Sequence, residues 1–260
     1  MISYKTKEQI EYIRESAQLV SKTLAEIAKV INEGVTGLEI DALAETFIND
    51  NNAKPMFKGY NGFPNTLCIS INEAVVHGVP TSKSFRSGDI VSVDCGVLLN
   101  GYVGDSAFTF EIGKVNEETK KLLKVTRESL ELGIEKAIVN NRLGDISGTI
   151  QDYVQARGYS VVRELVGHGV GKQLHEAPEV PNYGKVGTGI LLKEGLVIAV
   201  EPMINLGKRH ISQLEDGWTI VTKDKSPSAH FEHTIAVAKG KVDVLSTFQY
   251  IDAALMKNRL

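Results

Sequence analysis

Only two cysteines occur in the chain, Cys68 and Cys95, which argues against a disulfide framework and against a cysteine-built zinc site. No apolar run is long enough to span a bilayer. The N-terminal MISYKTKEQIEYIRE lacks the apolar core that a secretory signal needs. The expectation is therefore a reducing, cytoplasmic setting with no membrane. An excess of one charge is also missing. The 29 Lys and Arg against 32 Asp and Glu leave a net charge of −3, which gives no reason to expect nucleic acid or an anionic lipid surface as a partner. There is no linker, low-complexity tract or charge block. What remains is ordinary globular composition, 42% hydrophobic and 23% charged, over 260 residues. That is enough for one large domain or two small ones.

Against this background one stretch stands out, IVSVDCGVLLNGYVGDSAFT at 90–109. Asn100-Gly101 separates two alternating apolar runs, and both central positions of a type I′ turn need φ > 0, so the pair predicts a tight hairpin. A two-residue loop sets Leu99 opposite Tyr102, Gly96 opposite Asp105 and Asp94 opposite Ala107. Asp94 and Asp105 then lie on one face as diagonal neighbours, among the small residues Ser92, Gly96, Ala107 and Thr109. Val91, Val93, Phe108 and Phe110 take the other face and read as core. Two carboxylates converging on an uncrowded face repel unless a proton or cation lies between them. A solvated hairpin with two incidental acids is the plain alternative, and this stretch alone leaves both open.

Apolar residues at three- and four-residue spacing predict a long helix from Lys7 to Glu33, stopped by Gly34. Thr36 and Glu39 form a capping box for a second helix, Leu38 to Asn49. Lys54 to Pro64 reads as loop and Thr66 to Ile71 as strand. The pattern then restarts, with helices over Asn116–Asn140 and Asp145–Arg157. VGHGVG at 166–171 echoes VVHGVP at 75–80, and GLVIAVE at 195–201 echoes GDIVSVD at 88–94. SPSAHFEHTIAVA reads as a last strand with Glu232, Thr234 and Ala236 on one face, repeating the acid-small-small face of Asp105, Ala107 and Thr109. The tail from Asp243 to Leu260 reads as an edge or packing segment. One long-period echo is too little for a solenoid. It fits a single domain, 1–260, duplicated into halves of about 1–113 and 114–260.

Asp94, Asp105, Glu201 and Glu232 thus hold matching places in matching halves. His168 lies between Gly167 and Gly169, in what reads as a turn where backbone can approach a site closely. Four carboxylates and an imidazole are hard-to-borderline ligands suited to divalent Mn, Fe, Co or Zn. Acids able to bridge suit a pair of ions about 3.5–4 Å apart. The scatter of these ligands along the chain makes spacing a weak signal, and the repeat strengthens it.

The chain resembles methionine aminopeptidases of type I, within the wider family that includes prolidases and X-Pro aminopeptidases. The resemblance runs over nearly the whole chain. It is carried by GYNGFPNTLCISINEAVVHGVP, VSVDCGVLLNGYVGDSAFT, VGHGVGKQLHEAPEVPNYG, AVEPM, DGWTIVT and FEHTIAV. It implies the α/β pita-bread fold, a pseudo-two-fold antiparallel saddle-shaped sheet with helices on its outer face. It implies two divalent ions, drawn from Co, Mn, Fe, Ni or Zn, on Asp94, Asp105, His168, Glu201 and Glu232. It gives Glu201 a second role as general base, places His77 near the scissile amide and sets His175 to steady the carbonyl oxygen. A methionine pocket would be lined by Tyr60, Phe63, Cys68, His77 and Trp218, with Phe57 and Leu174 nearby. Cys68 reads as a pocket wall, since no base accompanies it in the motif. His210, His230 and His233 are left as surface or packing residues. The implied substrates are N-terminal methionine peptides and nascent chains with a small second residue. The implied setting is cytoplasmic, near the ribosome, as a monomer.

Two other readings compete. A prolidase or X-Pro aminopeptidase shares the ligand set but carries an extra N-terminal domain, whereas the first helix here begins at residue 7. A non-catalytic binding member of the family would be expected to have broken ligands, and none is missing. A type II methionine enzyme has a helical insertion before its last ligand, for which the span from Glu201 to Glu232 leaves no room.

Overall fold

Thr6 caps the first helix in the computed structural model of the chain, which describes residues 1–258. Its hydroxyl accepts the Gln9 N–H and the Gln9 side chain accepts the Thr6 N–H, so two donors that a helix start leaves free are satisfied. Helix α1 (Lys7–Val30) ends before the predicted Glu33, because Ile31 is already extended and Gly34 takes φ +90°. Helix α2 (Gly37–Asp50) opens with the predicted Thr36–Glu39 box. The stretch read as loop contains a short strand β1 (Lys54–Pro55), followed by β2 (Leu67–Ile71) and β3 (Ala74–Val76). The hairpin is β4 (Ile90–Leu99) and β5 (Tyr102–Glu111), with Leu99 on Tyr102, Gly96 on Asp105 and Asp94 on Ala107 as expected. Asn100 (φ 52°) and Gly101 (φ 79°) both adopt the left-handed region that the turn demands.

The second part begins with α3 (Glu117–Ile134), capped by Asn116. It stops short of the predicted Asn140 because the chain tightens into turns at Gly133–Ala137 and buries Ala137. Helix α4 (Leu143–Gln155) starts earlier than predicted, since Asp145 sits inside its first turn and accepts the Arg142 N–H. Then come β6 (Ser160–Val161), β7 (Gly167–Gly169), β8 (Glu176–Val180), β9 (Val197–Val200), β10 (Met203–Asn205), β11 (Ile211–Gln213) and β12 (Ile220–Thr222). The single last strand is in fact two, β13 (Ser228–His230) and β14 (His233–Ala236). The break at Phe231–Glu232 lets the chain leave β10 and join β9. The tail forms β15 (Asp243–Val244) and α5 (Gln249–Asn258), and α5 packs on α1. Its final residues, Arg259 and Leu260, lie outside the described residues.

Among the described residues four antiparallel sheets make up the strand layer: β1-β4-β2 with β5 on β4, β13-β10-β6, β11-β12-β3, and β15-β14-β9-β7-β8. Helix α1 lies across β4 and β5, and its stripe of Ile13, Ala17, Val20, Leu24 and Ile27 is fully buried. Val91, Val93, Phe108 and Phe110 are core as expected. Each large apolar side chain among them contributes roughly 1.5–3 kcal/mol by leaving water. The small-residue face is equally buried, contrary to the uncrowded face read from the sequence: Ser92, Ala107 and Thr109 are at most 2% exposed. What covers it is β13 and β14.

Candidate metal centre and substrate pocket

Hydroxyl side chains join the two parts of the chain. Ser106 donates to the Glu232 carbonyl (2.6 Å), and the Glu232 N–H donates to the Ala107 carbonyl (3.0 Å). Thr109 donates to the His230 carbonyl (2.7 Å) and accepts the His230 N–H (3.0 Å). Thr234 does the same for Asp105. These bonds hold Asp105, on β5, against Glu232, just before β14. Asp94 stands mid-β4, and Glu201 follows directly on β9. His168 is the centre of β7, so the glycine-flanked turn predicted there is a strand. Its glycines serve close approach instead: a Cβ on Gly167 would fall 2.3 Å from the Ala199 carbonyl oxygen, and one on Gly169 2.5 Å from that of Ala177.

The predicted acids and imidazole converge. Asp105, His168 and Glu232 each offer a ligand atom, all within 4.8 Å of one another. His168 Nε2 is 3.6 Å from Glu201 Oε1 and 3.8 Å from Asp105 Oδ2. On Asp105, burial acts first and repulsion from the Asp94 carboxyl adds to it. Burial is the main force on every one of these acids. It pushes Asp94 up to about 7, and pushes Asp105, Glu201 and Glu232 well above the usual carboxylate range, with repulsion from neighbouring acids adding to it. Burial lowers His168 to about 4, so its imidazole is neutral and able to ligate. Asp94 Oδ1, Asp105 Oδ1 and Glu232 Oε1 are buried without a hydrogen-bond partner. Buried carboxylate oxygens left bare are what a cation site requires, and the donor set is one for divalent ions.

Above the acids opens a cavity of about 240 Å³. Its wall includes Phe57, Tyr60, Phe63, Cys68, His77, Leu174, His175 and Trp218, so the structure brings every residue read as pocket to one place. Phe63 meets Trp218 edge to face, ring centroids 5.2 Å apart. Tyr60 Oη is 2.8 Å from His175 Nδ1, and the His175 ring stands 4.3 Å from that of His168. His77 has φ 58°, a strained conformation for a side chain of this size and one found at functional sites. Burial raises the Cys68 thiol well above its usual value, with Asp94 adding to the effect, which suits a wall and not a nucleophile.

Sequence reading missed part of the site. His230, left as a packing residue, is buried with its Nε2 unpartnered and 3.7 Å from Glu201 Oε2. Its neighbour His233 does pack, hydrogen-bonded to Ser246 Oγ at 2.6 Å. Leu165 and Met203 also line the cavity. The one available signal for His230 was its position two residues before Glu232.

The family model described as metallopeptidase family M24 matches residues 11–239. The chain is 50% identical to a methionine aminopeptidase of Clostridium acetobutylicum, over 95% of this chain and 99% of the relative. The crystal structure of methionine aminopeptidase from Rickettsia prowazekii superposes with a TM-score of 0.94 at 40% identity, covering 95% of this chain and all of that one. A prolidase from Pyrococcus furiosus shares the fold less closely, with a TM-score of 0.75 at 26% identity over 94% of this chain and 65% of its own. The fold is thus the pita-bread fold, and no described helix is long and apolar enough to cross a membrane. On this identity, over this share of both chains, the protein belongs to the methionine aminopeptidases of metallopeptidase family M24.

Proposed function

We propose that the protein removes the N-terminal methionine from peptides and nascent chains whose second residue is small. The observation that supports this most is the placing of five ligand-type side chains at the floor of a cavity walled by Tyr60, Phe63 and Trp218. A flexible thioether gains dispersion and sulfur–aromatic contacts from such walls. The resident group is read as two divalent ions among Co, Mn, Fe, Ni and Zn, held by Asp94, Asp105, His168, Glu201 and Glu232. The enzyme acts as a cytoplasmic monomer close to the ribosome, its two ligand pairs coming from duplicated halves of one domain.

Divalent ions, when bound, acidify water and polarise a carbonyl. The rest falls to side chains. The Glu201 carboxylate accepts a proton from the attacking water and returns it to the leaving amine. Tyr60 Oη lies 2.8 Å from His175 Nδ1; in the tautomer where that nitrogen accepts, His175 carries its proton on Nε2 and donates it as a hydrogen bond to the carbonyl oxygen as charge develops there. His77, held at its strained φ, faces the scissile amide from the same wall. Burial keeps both imidazoles neutral near pH 7.

The deciding assay compares Met-Gly-Met-Met, Leu-Gly-Met-Met, Met-Leu-Met-Met and Ala-Pro-Met at saturating metal. Clear cleavage of the first and poor cleavage of the others is expected. Faster cleavage of Ala-Pro-Met than of Met-Gly-Met-Met would replace the methionine reading with the prolidase one.

A further inference from the structure

His230 lies outside the set of side chains given a role above, yet it is fully enclosed. Its residue is 1% exposed, and its backbone N–H and carbonyl are both clamped by the Thr109 hydroxyl, which in turn bonds Ser92 Oγ at 2.8 Å. The clamp fixes the backbone from which the ring projects. Its Nε2 has no hydrogen-bond partner, and the nearest carboxylate oxygen is Glu201 Oε2 at 3.7 Å. That gap is too short for an intervening water, which would need about twice a hydrogen-bond length, and only a few tenths of an ångström beyond direct contact. The other oxygen of the same carboxylate, Oε1, faces His168 Nε2 at 3.6 Å. Glu201 therefore stands between two imidazoles, one on the ligand side and one behind it. Its carbonyl accepts from Asn182 Nδ2 at 3.0 Å, so its backbone is held and the rotation of its carboxylate is the freedom left.

We propose that His230 is a positioning residue: its Nε2–H binds Glu201 Oε2 and fixes the carboxylate so that Oε1 is presented to the metal. A carboxylate that ligates a metal is ordinarily oriented by a hydrogen bond to its other oxygen, and loss of such a partner lowers metal affinity or activity by about 10–100-fold. The inference rests on the reading of Glu201 as ligand and proton acceptor. It deepens that reading by naming the group that holds Glu201 in place.

The test uses the full chain with His230→Leu, which keeps bulk and removes the donor, and His230→Gln, which keeps an N–H donor. Two readouts are taken: Mn²⁺ affinity of the stripped protein by competition with a chelating dye, and kcat and KM for Met-Gly-Met-Met. His230→Leu is expected to weaken Mn²⁺ binding and lower kcat, each by at least about 10-fold, with KM within about twofold. His230→Gln should recover at least about a third of both. If the leucine variant fails to fold, His230→Met takes its place against His230→Gln. Equal behaviour of the donor-keeping and donor-lacking variants would overturn the proposal, as would a raised KM with unchanged kcat and unchanged Mn²⁺ affinity. A wild-type protein that binds Mn²⁺ but leaves the peptide intact would end the proposed function, while the Mn²⁺ affinities still decide the role of His230.

Discussion

The Thr234 hydroxyl donates to the Asp105 carbonyl at 2.7 Å and accepts the Asp105 N–H at 3.2 Å. One side chain from β14 thereby satisfies both backbone groups of an acid on β5, across 129 positions of sequence. Thr234→Val keeps the shape and strands both groups in a buried setting. The expected loss is roughly 1–3 kcal/mol of stability, because an unsatisfied buried group loses more than a hydrogen bond gains. Urea denaturation of the stripped protein measures it, and Thr234→Ser should recover most of it. No loss in the valine variant would show that the strands are held together by other contacts.

Metal-free protein should respond to alkali in a way the loaded protein does not. Burial raises Asp94 to about 7, and raises Asp105, Glu201 and Glu232 well above their usual range. Such groups support the fold while protonated and withdraw that support as pH rises from their unfolded values through their folded ones. His168, His230 and His233, lowered to about 4, about 3 and about 3 from 6.5, act oppositely and only below about pH 6.5. Between about pH 6.5 and pH 8 the carboxyls act alone. The Tm of chelated protein should therefore fall across that window, and the gain in Tm on adding Mn²⁺ should widen. Parallel slopes with and without Mn²⁺ would mean that the acids are not the site of binding.

Glu201→Gln keeps size and loses the proton acceptor, and kcat is expected to fall by at least about 10²-fold. His175→Ala should lower kcat with little change in KM, since its contact forms mainly in the transition state. A normal kcat with a poor KM would make His175 a substrate-binding group instead. Steady-state kinetics on Met-Gly-Met-Met separates these outcomes.

Trp218→Ala removes the ring against which Phe63 is set edge-on. The preference for Met-Gly-Met-Met over Leu-Gly-Met-Met should narrow by about 1–3 kcal/mol in relative kcat/KM without vanishing. An unchanged ratio would place the methionine side chain elsewhere in the cavity.

The hairpin could be read to the residue because Asn100-Gly101 admits one tight turn, and that turn sets every pairing from Leu99–Tyr102 to Asp94–Ala107. Short-range signals likewise gave the start of α2, where Thr36 and Glu39 close a local box. Meeting points between distant segments left fainter traces. The small face of the hairpin looked open because only the folded chain brings β13 and β14 over it, where Thr109 bonds the His230 backbone and Thr234 bonds the Asp105 backbone. Gly167-His168-Gly169 looked like a turn because glycine marks both turns and close approach, and only Ala199 and Ala177 on the flanking chain show which applies. His230 carried only one local signal, its place two residues before Glu232, because Glu201, the carboxylate it faces at 3.7 Å, is 29 positions away just past the end of β9.

Metal-stripped protein assayed on Met-Gly-Met-Met, then re-supplied with one metal at a time, tests the central claim most directly. Activity should disappear with excess chelator and return with Mn²⁺, Fe²⁺ or Co²⁺, in step with occupancy measured by elemental analysis. Full cleavage in excess chelator, with no metal detectable on the protein, would contradict it.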